Sequence, residues 1–211
     1  MPAPSIEDSI AQLIEKQGWT VTPGFLSAQE VVQLAHEARH MRDAGQLHRA
    51  GIGKGLEYSI NDDVRRDYIT WLEAENASPA QLAYLQRLES LRQHLNYTLQ
   101  LGLFDLEAQV AIYPPGAYYR KHLDQFQQES QRTLTCVLYL NEHWEDTDGG
   151  QLRMYLEGEC EDVYQDIQPI GGTLVAFISS RFWHEVLPAS RERLSITGWF
   201  RTRPENPLEM V

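Results

Sequence analysis

Hydrophobic positions in the first third of the chain recur at helical spacing. Ile6, Ile10, Leu13 and Ile14 share one face after Ser5, a residue type that caps helices, and Gly18 supplies a stop. Trp19-Thr20-Val21 reads as a short strand. Ser27-Ala28-Gln29-Glu30 has the spacing of a capping box and opens a helix through Val31, Leu34, Ala35 and Met41. A third helix is predicted from Ser78-Pro79, because proline at the first helical position gives up no needed N–H. Leu82, Leu85, Leu88, Leu91 and Leu95 continue its apolar face, whose simplest use is core packing. Between these helices, His48 to Asp67 carries Gly51, Gly53 and Gly55 and little apolar periodicity. It is expected to be a surface loop, with a lid over a site as the alternative. Tyr68-Ile69-Thr70-Trp71 looks like a strand.

From Glu107 onward the period changes. Ala108, Val110 and Ile112 alternate before Tyr113-Pro114-Pro115-Gly116, a turn signal. Thr133 to Leu140 is an apolar, β-branched run. Gly149-Gly150 precedes Gln151 to Tyr155, and Gly171-Gly172 precedes Thr173 to Ile178. A final strand, Leu194 to Phe200, runs into a polar, proline-containing tail. Many short strands with glycine-rich turns predict a sandwich or jelly roll packed on N-terminal helices, an α+β fold with a mainly β core. One domain is expected over residues 1–211: about 1–100 as helical support and loop, about 107–201 as the β core.

Composition adds exclusions. The 211 residues are 42% hydrophobic and 23% charged, with 30 acidic against 18 basic side chains and a formal charge of −12. That balance argues against a nucleic-acid partner, since affinity for phosphate backbones comes largely from Lys and Arg. Two cysteines, Cys136 and Cys160, make no disulfide framework, suit a reducing compartment and are expected as buried small hydrophobes. Met1 to Ser5 lacks the basic-then-apolar pattern of a signal peptide, and no run approaches the roughly 20 apolar residues of a membrane helix. The expectation is a soluble, cytoplasmic protein without a membrane partner.

The candidate chemistry lies in His122-Leu123-Asp124 with the distant His184 and, beyond it, Arg193. Two imidazoles and one carboxylate are the ligand set of a facial-triad non-haem Fe(II) site, which keeps open positions on the metal. Alternate residues of a strand share a face, so His122 and Asp124 are expected to chelate from one strand edge. A lone His-X-Asp is weak evidence, and His36, His40, His48, His94 and His143 show no comparable partner. A structural zinc site is disfavoured, since such sites are usually closed and cysteine-rich.

The motif-bearing segments resemble the prolyl 4-hydroxylase superfamily, and in particular the hypoxia-inducible-factor-type prolyl hydroxylases and their bacterial relatives. The resemblance rests on Tyr113 to Asp124, on Arg132 to Asn141 with Gly149-Gly150-Gln151-Leu152, and on His184 with Arg193 and Trp199. It runs from about Asp67 to Arg201, and the first sixty residues add little. The glycine-rich stretch from His48 to Asp62 departs from the animal members where protein substrate is gripped, which bears on substrate identity rather than chemistry.

The resemblance implies a double-stranded β-helix (jelly roll) with Fe(II) on His122, Asp124 and His184. It implies 2-oxoglutarate and O2 as co-substrates, with ascorbate a candidate reductant. Arg193 is expected to pair with the distal carboxylate of 2-oxoglutarate, its planar fork matching that group, with Tyr139 adding a hydroxyl hydrogen bond. Tyr113, Thr135 and Trp199 are expected beside the co-substrate, and Tyr119 and Trp199 beside the substrate. Asp67 and Arg132 align with a charge pair that closes the family's substrate loop. Halogenating relatives lack the carboxylate ligand, so Asp124 favours hydroxylation.

The resemblance implies a proline in a partner protein as target, with elongation factor Tu as the suspected substrate and a monomer as the expected state. The alternatives are the same chemistry on a free amino acid or small molecule, and a non-catalytic module sensing 2-oxoglutarate. A nucleic-acid demethylase fits less well: the chain is acidic, and Arg201 does not stand at the spacing from Arg193 those enzymes use.

Overall fold

The computed structural model of the chain describes residues 4–53, 59–125, 131–158 and 160–203. Ser5 caps helix α1 (Ile6–Gln17), its hydroxyl accepting the Asp8 N–H while the Asp8 carboxylate accepts that of Ser5. Gly18 ends the helix in left-handed backbone, φ 87°, and donates to the Ile14 carbonyl at 2.9 Å. The same reciprocal cap opens α2 (Ala28–Asp43) at Ser27 and Glu30, and α3 (Pro79–Leu99) at Ser78 and Gln81. On α3 the buried stripe is Gln81, Tyr84, Leu88, Leu91 and Leu95, while Leu82 and Leu85 are half-buried. Tyr84 takes the central place because steps of three and four residues hold a helical face.

Eleven strands follow in the described residues: β1 (Trp19–Thr22), β2 (His48–Arg49), β3 (Tyr68–Trp71), β4 (Leu103–Tyr113), β5 (Tyr119–His122), β6 (Arg132–Tyr139), β7 (Leu152–Tyr155), β8 (Tyr164–Ile167), β9 (Leu174–Ile178), β10 (His184–Val186) and β11 (Arg193–Thr202). They form two antiparallel sheets, ordered β1-β9-β6-β11-β4-β3-β2 and β5-β10-β7-β8. Val137, Tyr139, Val175 and Phe177 of the larger sheet pack with Leu152, Met154, Ile167 and Val186 of the smaller. This is the double-stranded β-helix that was expected. The N-terminal hundred residues do more than supply helices, however. β1 extends the larger sheet beside β9, and β2 and β3 extend it beside β4.

Strand parity divides the interior in two. Leu134, Cys136 and Leu138 of β6 join the helices α1, α2 and α3 in one core, and Val137 and Tyr139 face the smaller sheet. Val110 and Ile112 alternate with Ala111 and Tyr113 on β4, and Leu174 and Ala176 with Val175 and Phe177 on β9. Both faces of the larger sheet are therefore buried, which is why its strands read as continuous apolar runs. On β11, Leu194, Ile196 and Phe200 lie on the helix side, so the buried Arg193, Ser195 and Trp199 face inward between the sheets.

Two expectations need correction. The segment from His48 to Asp67 is no plain surface loop; Gly55 lies outside the described residues, but the end of the segment is fastened down. Arg66 N–H donates to the Tyr118 carbonyl at 3.0 Å and Arg120 N–H to that of Val64 at 2.9 Å, so this stretch is laced to β5. Arg65, Asp67 and Ile69 are buried at alternate positions, as an extended segment against a core requires. Cys160 is exposed, lying in the turn between β7 and β8, whereas Cys136 is buried on the helix side of β6. The polar tail after Arg203 lies outside the described residues, and among those described no helix is long and apolar enough to cross a membrane.

Candidate metal centre

β5 ends on His122 and β10 begins on His184, and the two are direct partners in the antiparallel register. Their ring centroids lie 4.2 Å apart. Asp124 comes from a bend just past the end of β5 rather than from the strand edge expected of it. One ligand atom from each of the three residues falls within 4.8 Å of the others. Asp124 Oδ1 lies 3.5 Å from His122 Nε2, and Oδ2 lies 3.6 Å from His184 Nε2.

The backbone orients both rings. His122 Nδ1 is 2.7 Å from the Arg120 carbonyl, and His184 Nδ1 is 3.0 Å from that of Phe182. A carbonyl only accepts, so each Nδ1 carries a proton and each Nε2 is turned to the common point, the usual second-partner arrangement of a metal-bound histidine. Burial opposes ionisation of Asp124, but His184 and His122 outweigh it and hold the carboxyl well below the usual range. Burial, reinforced by His122 and opposed by Asp124, pushes His184 down to about 4. At neutral pH the site therefore offers an ionised carboxylate and a neutral His184 imidazole, the forms that bind metal. Two nitrogens and one oxygen with no thiolate suit Fe(II).

A second group of residues lies on the larger sheet. Arg193 and Tyr113 are register partners, and the buried Arg193 guanidinium carbon is 5.0 Å from the Tyr113 ring centre and 5.1 Å from that of Tyr139. Arg193 Nε donates to the Gly150 carbonyl at 2.9 Å, and Nη1 reaches the Ser195 hydroxyl only at 3.5 Å. Arg193 Nη2 and the Tyr139 hydroxyl are both buried without a hydrogen-bond partner. Burial pushes the Tyr139 phenol up to about 12, against the pull of Arg193, so it is a protonated donor. Unpartnered buried donors are uncommon, and a guanidinium can only donate. Together they call for an anionic acceptor, which the distal carboxylate of 2-oxoglutarate fits. Gly150 makes room for this: a Cβ there would sit 2.9 Å from Ala189 Cβ and 3.3 Å from Arg193 Cδ, at φ +70°.

The other expected residues lie around these two groups. Thr135, expected beside the co-substrate, donates its hydroxyl to Asp124 Oδ2 at 2.8 Å. Asp67 and Arg132 do not pair. Asp67 takes both nitrogens of Arg65, at 2.8 and 2.6 Å, because Arg65 is two positions away on the same buried side of the chain. Arg132 pairs with Glu107 and lies 3.7 Å from the Trp199 ring centre. Tyr119 stacks on His122, with centroids 3.6 Å apart and planes 17° from parallel, and Arg65 lies over its ring at 4.2 Å. Trp199 is 5% exposed with an unpartnered indole N–H, and its ring is 6.4 Å from that of the half-exposed Trp71. Sequence reasoning missed Arg65, Gly150 and Ser179 as site residues. Arg65 had a signal in the Arg-X-Asp spacing of an extended stretch, and Gly150 in its diglycine turn, while Ser179 had none.

A two-histidine, one-carboxylate centre between the sheets of a double-stranded β-helix defines the non-haem iron oxygenase class. Residues 108–201 match the 2OG-Fe(II) oxygenase superfamily. A prolyl-4-hydroxylase from Pseudomonas putida is 42% identical in sequence, with a TM-score of 0.84 over 94% of this chain and 100% of that one. A prolyl hydroxylase from Trichoplax adhaerens, solved in complex with a hypoxia inducible factor oxygen degradation domain peptide fragment, is 25% identical with a TM-score of 0.86, covering 98% and 93%. Egl nine homolog 1 of Homo sapiens is 31% identical over 210 residues, which span 94% of this chain and 48% of that protein. The chain belongs to the 2OG-Fe(II) oxygenase superfamily, within its prolyl 4-hydroxylase group. It spans about half or less of the length of the first curated relatives it matches. The family takes Fe(II), 2-oxoglutarate and O2, and the residues present fit the metal and the co-substrate.

Proposed function

We propose that this protein is a Fe(II)- and 2-oxoglutarate-dependent dioxygenase that hydroxylates the 4-position of a prolyl residue in a protein substrate. The observation that carries the reading is the pair of buried unpartnered donors, Arg193 Nη2 and the Tyr139 hydroxyl, set between the sheets that also hold the triad. His122, Asp124 and His184 hold the metal, and the carbonyls of Arg120 and Phe182 keep both rings turned toward it. Arg193 and Tyr139 bind the distal carboxylate of 2-oxoglutarate, and Gly150 fixes the Arg193 side chain while leaving Nη2 to donate. When bound, Fe(II) with 2-oxoglutarate and O2 supplies an oxidant strong enough for an unactivated C–H bond, with succinate and CO2 as co-products. Tyr119 and Trp199 wall the space beside the triad and exclude water from it.

Support for a polypeptide substrate comes from the peptide-bound Trichoplax relative and from the exposed Trp71 of β3, which continues the aromatic wall begun by Trp199. A translation factor such as elongation factor Tu is the substrate we place first, on the resemblance to bacterial members of the group. The test is succinate formation by anaerobically prepared, Fe(II)-loaded protein given 2-oxoglutarate, O2 and proline-containing peptides, compared with His122→Ala and Arg193→Ala. Triad-dependent succinate coupled to a gain of one oxygen on proline is the expected result. Triad-dependent succinate coupled instead to turnover of free proline would move the assignment to a small-molecule oxygenase.

A further inference from the structure

A buried hydroxyl meets the metal-ligating carboxylate from behind, and a second buried hydroxyl backs the first. Thr135 projects inward from β6 and Ser179 follows the end of β9, and both are 0% exposed. Thr135 Oγ1 is 2.8 Å from Asp124 Oδ2 and 2.8 Å from Ser179 Oγ. The Ser179 N–H donates to the Thr133 carbonyl at 3.1 Å, which anchors the serine to the strand that carries Thr135.

Proton counting fixes the direction of these bonds. An ionised carboxylate only accepts, and a threonine hydroxyl has one proton to give. If Thr135 gave its proton to Ser179, its own oxygen would face Asp124 Oδ2 lone pair to lone pair at 2.8 Å. The proton of Thr135 therefore goes to Asp124, and that of Ser179 goes to Thr135. We propose that Ser179 and Thr135 form a one-way hydroxyl relay that positions the Asp124 carboxylate for metal binding. The inference rests on the metal-site reading above and adds two positioning residues to it.

The relay matters because Asp124 lies in a bend past the end of β5, where no strand ladder fixes it. Its carboxylate rotation is set by side-chain bonds. The bond to Thr135 takes one lone pair of Oδ2 and leaves both of Oδ1, so Oδ1 is the stronger donor to the ion. Ligation through one oxygen leaves the remaining metal positions to the co-substrates, whereas a carboxylate free to turn would offer both oxygens and take one of those positions. The serine bond polarises the threonine hydroxyl and strengthens its donation to Asp124.

The test uses the full chain without oxygen and two readouts: Fe(II) affinity by competition with a coloured chelator, and the charge-transfer absorption of the Fe(II)–2-oxoglutarate complex. Thr135→Val keeps shape and loses the donor. It should weaken Fe(II) binding about 10- to 100-fold and move the band to longer wavelength, because an undonated carboxylate pushes more charge onto the metal. Thr135→Ser should restore both properties, and Ser179→Ala should shift both in the same direction by less. In an Asp124→Gly background, Thr135→Val should change Fe(II) affinity no further. Wild-type affinity and band position in Thr135→Val would overturn the relay. So would failure of Thr135→Ser to restore them, or an undiminished effect of Thr135→Val without Asp124. Should Thr135→Val not fold, Ser179→Ala decides, and a wild-type affinity and band there would overturn the relay. If the wild type binds Fe(II) but gives no band with 2-oxoglutarate, the co-substrate reading fails, while the Fe(II) affinities still decide the relay.

Discussion

Replacing Tyr139 by phenylalanine should move stability and co-substrate affinity in opposite directions. Without ligand the Tyr139 hydroxyl is buried and unpartnered, between the larger sheet and the guanidinium of Arg193. Leaving such a group unsatisfied costs about 1–3 kcal/mol, so removing it should stabilise the ligand-free protein by about 1 kcal/mol once the small gap left behind is counted. For a chain of this size that is a rise of about 2–4 °C in melting temperature. With 2-oxoglutarate bound, the same hydroxyl donates to a charged carboxylate, a bond contributing about 1.5–3 kcal/mol, so Tyr139→Phe should weaken binding roughly 10- to 150-fold. Calorimetric titration with Mn(II) in place of Fe(II) would measure affinity without turnover, and a thermal melt of the metal-free protein would give stability. Arg193→Lys serves as companion: it keeps the charge, but one ammonium does not replace a fork that holds the Gly150 carbonyl while offering Nη2. Unchanged affinity in Tyr139→Phe, or a lower melting temperature, would refute the assignment of this pocket to the distal carboxylate.

Three further substitutions test neighbouring parts of the structure. Tyr84, 1% exposed in the helix-side core, also has an unpartnered hydroxyl, so Tyr84→Phe should raise urea-unfolding stability by about 1 kcal/mol; a loss would reveal a partner for that hydroxyl. Arg65→Met leaves the fully buried Asp67 carboxylate uncompensated and should cost about 3–5 kcal/mol, most of it recovered when Asp67→Leu is added; equal instability of the double variant would show that the pair is not the source. Gly150→Ala forces a side chain into left-handed backbone and against Ala189 and Arg193, so stability should fall by about 1–3 kcal/mol and 2-oxoglutarate affinity should fall with it. Loss of stability with unaltered affinity would free Gly150 of any part in placing Arg193.

Much of this architecture was legible in the residues. The serine caps of all three helices stood in plain spacing, and so did the diglycine turns before β7 and β9. The triad was legible as a ligand set, and the family resemblance pointed to Arg193, which is buried on the inner side of β11. What escaped depended on which side chains the folded backbone turns toward one another. The Arg-X-Asp spacing marked Arg65 as a partner for Asp67, but the resemblance pointed to Arg132; the nearer Arg65 wins because alternate residues of an extended segment reach the same buried side. Thr135 sits on the expected strand and the expected face, yet which ligand it serves is decided by a bend after β5 that brings Asp124 within 2.8 Å. The bend itself was invisible, since His-X-Asp is equally consistent with a continuing strand.

Strand parity explains why fold and site cannot be separated here. The triad histidines come from paired ends of the smaller sheet, whereas Arg193, Tyr113 and Tyr139 come from the larger, so the pocket exists only when the two sheets pack. On β11 the inward row of Arg193, Ser195 and Trp199 is held by burial of the outward row, Leu194, Ile196 and Phe200, under the helices. A register slip of one residue would turn every side chain of the strand to the opposite face. It would put the Arg193 guanidinium among helix-side leucines and Leu194 beside Tyr113 and Tyr139. The three helices hardly touch the chemistry, yet the apolar core they complete sets the register that delivers Arg193 to it.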